Sequence, residues 1–217
     1  MPIFKSEKEA QEVHRDYIYD TDEEGKFRNP EGQSGFFTPG TISWNRIKQL
    51  IDWIPNNQPI ILEVGCNSGG LLRGISRNKP GCVLYGIEIN PRLVERAISK
   101  GIIAKEGMAE QLPYENSFFD VVILSELLEH LYSPEKGLEE AMRVLKQGGL
   151  IIGSVPHPLG INATKRPIEE HLYHMRVFTK QSLKKLLSVL GDLKIVNIYH
   201  QPNITKKPQW MAFRGRK

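Results

Sequence analysis

The chain has 217 residues, of which 40 % are hydrophobic and 25 % charged, with a formal net charge of +4; these are the proportions of a soluble globular protein with room for one α/β domain and a modest extension. No apolar run approaches the roughly eighteen residues of a membrane-spanning helix, and the polar, acidic opening is unlike a signal peptide. Two cysteines, Cys66 and Cys82, cannot build a disulfide framework, so a reducing cytoplasm is the expected setting.

Residues 1–26 carry eight acidic against four basic side chains, and 5–16 read as a polar helix. From Tyr17 to Pro39 runs a long irregular stretch whose aromatics, among them Tyr17, Tyr19, Phe27, Phe36 and Phe37, argue against full disorder. Residues 1–40 are therefore expected to form an arm, either packed on the core or closing as a lid over a ligand. Thr41 reads as the N-cap of a helix with the apolar face Ile42, Ile47, Leu50, Ile51 and Ile54, ending at Pro55.

Ile60 to Val64 is a short apolar run, and Gly65-Cys66-Asn67-Ser68-Gly69-Gly70 follows it before a helical pattern resumes at Leu71. Strand, glycine loop and helix in that order bring bare backbone N–H groups beside a ligand. A dinucleotide fingerprint needs glycine where Asn67 stands, and a P-loop needs Gly-Lys-Ser/Thr where Gly70-Leu71 stands. Both phosphate readings are weakened. The pattern left is Glu-x-Gly-x-x-x-Gly (Glu63, Gly65, Gly69), an acid aimed into a glycine loop, which suits a ligand bearing positive charge.

Val83 to Glu88 reads as a second strand ending in an acid nineteen residues after Gly69, the place where α/β nucleotide sites set a carboxylate against ribose hydroxyls. Asn90-Pro91 then opens a helix to about Lys100, and Ile102 to Lys105 is a third strand. Gly107 to Pro113 is a turn-rich link to a fourth strand, Phe119 to Leu124. Ser133-Pro134 starts a helix with the face Leu138, Ala141, Met142 and Leu145, expected to stop at Gly148-Gly149. Leu150 to Pro156 is a fifth strand, Thr179 to Leu190 a helix, Leu193 to Tyr199 a strand, and Gln209 to Arg214 a final antiparallel one. Residues 157–178 between them form an insert rich in His, Arg and Tyr.

Four segments together resemble the class I S-adenosylmethionine (SAM)-dependent methyltransferases, of the methyltransferase type 11/12-like kind. They are the Glu63–Gly69 motif, Gly107-Met108-Ala109-Glu110-Gln111-Leu112-Pro113, Ser125 to Leu131 after the fourth strand, and Arg143-Val144-Leu145-Lys146-Gln147-Gly148-Gly149. They cover roughly residues 60–156 in the family's order; Asn67 departs from its usual glycine. The resemblance implies a Rossmann-like, seven-stranded, mostly parallel sheet with helices on both faces, occupying 41–217. It implies SAM as cofactor, with Glu63, Gly65, Asn67 and Gly69 at the methionine part, Glu88 at the ribose, Met108, Ala109 and Glu110 along the adenine, and Ile89 as a further cofactor contact. Ser125 would lie near the methyl group, and Tyr17, Phe37, His171, Tyr173 and Arg176 on the substrate side.

The sulfonium already activates the methyl carbon, so a base is needed only for a protonated acceptor. His130 and His157 are the candidates. Glu126 and Glu129 flank the same loop, one of them as a solvated helix face. His171-x-x-His174 has the spacing of a metal pair, but no Cys or acid joins it at a recognisable distance, so no metal is expected. The expected reaction is methyl transfer to oxygen or nitrogen of a small molecule. The alternatives are an RNA- or other macromolecule-directed enzyme, less favoured and resting on the basic stretch 204–217 with Trp210 and Phe213, and a catalytically silent SAM-binding protein. A nicotinamide oxidoreductase is disfavoured by Asn67.

Overall fold

The computed structural model describes residues 6, 8, 9, 11, 12, 44–160, 174–199 and 207–217. Tyr17, Phe37, Thr41, Ile42, His171 and Tyr173 lie outside them, as does nearly all of the expected lid. In chain order come α1 (Trp44–Trp53), β1 (Ile60–Val64), α2 (Gly70–Asn78), β2 (Val83–Glu88), α3 (Pro91–Ser99), β3 (Ile103–Glu106) and β4 (Phe119–Ser125). They are followed by α4 (Pro134–Val144), β5 (Leu145–Pro156), α5 (Lys180–Leu186), β6 (Gly191–Tyr199) and β7 (Pro208–Arg216).

The seven strands make one sheet in the order β3-β2-β1-β4-β5-β7-β6. The first five are parallel, and β7 runs antiparallel to both its neighbours. Alternate residues of the strands serve opposite faces. Ile61, Val121, Ile123 and Ile152 pack with Ile47, Leu50, Leu72 and Ala97 of α1–α3. Leu62, Val122, Leu124 and Ile151 pack with Leu138 and Ala141 of α4 and with Leu183 of α5 on the other side. The chain steps outward from β1 to β3 and then returns to the far side of β1 as β4. The carboxyl ends of β1 and β4 thus diverge at a switch point, where such sheets bind ligands.

The helix starts follow sequence chemistry. Asn90 accepts from the N–H groups of Arg92 and Leu93, with Pro91 at the first helical position. Thr179 and Ser182 form a reciprocal capping pair. Ser133, expected to cap α4, makes no side-chain capping bond. The helix also ends earlier than expected, at Val144, because fully buried Leu145 pairs with Phe119 at the start of β5. The glycine pair falls inside that long strand, where Gly148 takes φ 74°.

The C-terminal stretch is an interior strand. Trp210 is 4 % exposed and Phe213 is fully buried, so neither aromatic is offered to RNA.

Arg143 clamps the link between β3 and β4. Its guanidinium donates to the carbonyls of Leu112 (2.9 Å) and Tyr114 (2.8 Å), to Asn116 Oδ1 (2.9 Å) and to Glu140. Glu140 accepts in turn from the Leu112 N–H at 2.7 Å. The arginine bond holds the Glu140 carboxyl below its usual range, against burial, which works to raise it. Arg143→Ala frees several half-buried acceptors at once and should cost about 1–3 kcal/mol in urea unfolding.

Candidate active site

The glycine loop closes β1 onto β2. Gly65 and Cys66 donate to the Ile87 carbonyl at 2.8 and 2.9 Å. Gly65 has φ 72°, and a Cβ there would meet Leu127 Cδ1 at 2.9 Å, so the turn and the close approach both demand glycine. Asn67 has φ 48°. This is the left-handed region, which asparagine tolerates better than most side chains, and it explains how asparagine replaces the family's glycine. The Asn67 N–H donates to Glu88 Oε2 at 2.9 Å, and the side-chain Oδ1 accepts from the Ser68 N–H at 2.6 Å. Lys100 Nζ reaches the Ser68 carbonyl at 2.6 Å and ties the loop to the end of α3.

Glu88 is buried and uses its other oxygen, Oε1, to accept from the Asn90 N–H at 3.1 Å. One carboxylate thereby sets the loops after β1 and β2 at once. Glu63, at the end of β1, is 4 % exposed, and its Oε2 is buried without a hydrogen-bond partner. Burial pushes its carboxyl up to about 8; Arg46 works against the rise and Glu88 adds to it.

Beyond β2 lies a cavity of about 590 Å³ walled by Ile89, Gly107, Met108, Gln111 and Pro113. Lys8, Gln11 and Glu12 of the N-terminal segment complete the wall. Ala109, next in the chain after Met108, is buried in the core cluster with Leu112 and Leu131. Gln111 also lines the cavity.

The end of β4 carries a polar network that local sequence gave no sign of. Arg46 Nη1, from α1, donates to Ser125 Oγ at 2.6 Å and Ser154 Oγ at 3.2 Å. Ser154 donates to Glu126 Oε1 at 2.9 Å, and Trp210 Nε1 donates to Glu126 Oε2 at 2.9 Å. These bonds hold Glu126 at φ 52°, an uncommon backbone state for glutamate. Neither acid of this loop is a solvated helix face. Glu126 is tied into the network, and Glu129 is 1 % exposed in a turn ahead of α4, its carboxyl raised mainly by burial and then by Glu126.

His130 shares that turn, its ring 4.7 Å from the ring of His174. His157, just past β5, accepts the Leu159 N–H on Nδ1 at 3.1 Å, and burial lowers its pKa. Arg176 Nη2 donates to the Tyr132 carbonyl at 2.9 Å, so it fastens the end of the insert to the loop after β4.

A family model described as a methyltransferase domain matches residues 62–153. An uncharacterized protein of Methanocaldococcus jannaschii is 30 % identical over 149 residues, 67 % of this chain and 69 % of that protein. The chain belongs to the class I SAM-dependent methyltransferases. The malonyl-[acyl-carrier protein] O-methyltransferase of Herminiimonas arsenicoxydans is 29 % identical over 145 residues, covering 67 % of this chain but 55 % of that enzyme. The chain thus spans little more than half of that relative. A SAM-dependent methyltransferase structure from Thermotoga maritima superposes with a TM-score of 0.70 at 19 % identity, over 88 % of this chain and 97 % of the other.

The residues of this methyltransferase fit its cofactor. SAM carries an ammonium and a sulfonium, and an orphaned buried carboxylate oxygen on Glu63, with Glu88 beside it, is a site that lacks positive charge. Among the described residues, no helix is long and apolar enough to cross a membrane.

The raised carboxyl of Glu63 has a measurable sign. A folded-state pKa of about 8 against an ordinary 4.5 means that the folded chain holds this proton more tightly than the unfolded chain does. Its contribution to stability is fully present below the lower value and is lost as pH rises through the upper one. The Tm of cofactor-free wild type should therefore fall more steeply over that window than the Tm of Glu63→Gln, as differential scanning calorimetry would show.

Proposed function

We propose that this methyltransferase transfers the methyl group of SAM to an oxygen or nitrogen atom of a small molecule. The observation that carries the reading is the pairing of Glu63 and Glu88 across the Asn67 turn, with buried carboxylate where a cationic ligand is required. SAM supplies a methyl carbon with a neutral thioether as leaving group, so the chain's task is placement, worth roughly 7–11 kcal/mol when reacting atoms are held in line. Gly65, Asn67 and Gly69 border the methionine part. Glu88, oriented by the N–H groups of Asn67 and Asn90, is the carboxylate for the ribose diol. Met108 and Ile89 form the apolar wall for adenine, and Ser125 stands beside the methyl group.

The acceptor side comprises the turn after β4, the start of the insert and the N-terminal arm. His157 suits the role of base because its burial favours neutral imidazole and its Nδ1 is already satisfied, leaving Nε2 for a proton. Lys8, Gln11 and Glu12 at the cavity wall support the arm, residues 1–40, as a cover over the cofactor. The small-molecule choice draws support from this cover and from the burial of Trp210 and Phe213, the two aromatics of the basic C-terminal stretch. The O-methyltransferase relative supports the oxygen half.

Calorimetric titration with SAM, S-adenosylhomocysteine and NAD tests the site. Micromolar binding of the first two is expected, weakened about tenfold or more (~1.4 kcal/mol) in Glu88→Ala; binding of NAD alone overturns the reading. A screen of hydroxyl- and amine-bearing acceptors, read as S-adenosylhomocysteine formed, then tests the bases. His157→Ala should lower turnover on the order of 100-fold or more with S-adenosylhomocysteine affinity kept, and unchanged turnover removes His157 from the mechanism.

A further inference from the structure

Glu129, His130 and His174 meet although the last lies forty-five residues after the first. Their possible ligand atoms all lie within 4.8 Å of one another. Glu129 is 1 % exposed, and neither carboxylate oxygen has a hydrogen-bond partner. Its Oε1 stands 3.9 Å from His130 Nε2. The backbone around the three is pinned from both sides: the Met175 N–H donates to the Glu129 carbonyl at 2.8 Å, and the His130 N–H to the Leu127 carbonyl at 2.9 Å. Arg176 adds its bond to Tyr132.

We propose that Glu129, His130 and His174 form a binding site for one divalent first-row transition ion, zinc by its donor set. A buried carboxylate with both oxygens unpaired carries a desolvation cost of several kcal/mol, which a cation held against it would offset. Arg46 offsets part of that cost through its charge, but its Nη1 is bonded to Ser125 and Ser154, and both Glu129 oxygens stay without a hydrogen-bond partner. Two imidazoles and one carboxylate are the donors of open zinc sites, which keep a fourth position for water or another ligand. Magnesium and calcium call for more oxygens than these residues provide. Bonds of about 2.0–2.1 Å put tetrahedral donors about 3.4 Å apart, so modest side-chain rotations within a 4.8 Å cluster suffice. None of its three donors is among the residues assigned to the cofactor. The site also supplies what sequence spacing around His174 lacked, an acid and a second imidazole brought in by the fold.

The experiment uses the full chain without a polyhistidine tag, stripped with a chelator and titrated with Co²⁺ as a visible probe, then with Zn²⁺ in competition. One Co²⁺ per chain with d–d bands of a low-coordinate N/O site, displaced by one Zn²⁺, is the expected result. His174→Ala should weaken Zn²⁺ at least about tenfold, or ~1.4 kcal/mol, while S-adenosylhomocysteine affinity and the circular dichroism spectrum stay unchanged. Glu129→Gln, which keeps the side chain's shape, should do the same. No stoichiometric uptake, or uptake indifferent to His174→Ala, overturns the site. Should Glu129→Gln fail to fold, the half-buried His174 decides. Cofactor affinity is read separately, so failure of the metal site and failure of the methyltransferase reading give different results.

Discussion

An excess of buried carboxylate at one edge of the sheet governs this molecule. Glu63, Glu88 and Glu129 are all buried where β1, β2 and β4 end, and Glu126 is bound in beside them. Arg46 is the cation set among them, and it opposes the raised carboxyls of both Glu63 and Glu129. Removing a carboxylate from water is unfavourable unless hydrogen bonds or charge compensate. The chain resolves the problem differently at each position. Glu88 is satisfied by two backbone N–H groups, Glu126 by a serine and a tryptophan, and Glu63 by keeping its proton until a cation arrives.

The sheet makes that concentration of charge feasible. Parallel strands covered on both faces leave their carboxyl ends as the place where loops are free to vary, and the reversal between β1 and β4 opens a crevice there. Hydrophobic packing with α1–α3 on one side and α4–α5 on the other fixes the strands, so loop residues are positioned by elements that do not themselves take part. Arg143 extends this logic outward. Its bonds to the link between β3 and β4 hold the cavity wall from the opposite end of the strands' connecting segment.

Much of this was legible in the sequence, and the reason is locality. The β1 strand, the glycine loop, Glu88 and the Asn90-Pro91 helix start lie within about thirty residues, each marked by its own turn or capping chemistry. What escaped was built by distant residues. Arg46, Ser154 and Trp210 belong to three elements and meet around Ser125 and Glu126 through register, which no spacing rule encodes. Glu126 and Glu129 could not be told from a solvated helix-face acid because their neighbours in sequence say nothing of Trp210, Met175 and His174. The end of α4 was misplaced for a related reason: Leu145 satisfies a helical period as well as a strand pairing, and the partner Phe119 decides.

The position of β7 bears on how the protein comes into being on the ribosome. This strand sits between β5 and β6, yet it follows both in the chain. When β6 has emerged, the edge it will occupy does not exist, because β6 pairs with β7 and not with β5. The first five strands can assemble while synthesis continues, but Trp210 reaches Glu126 only after β7 has inserted. A nascent chain therefore carries a formed cofactor loop beside an unfinished acceptor side until β7 has inserted.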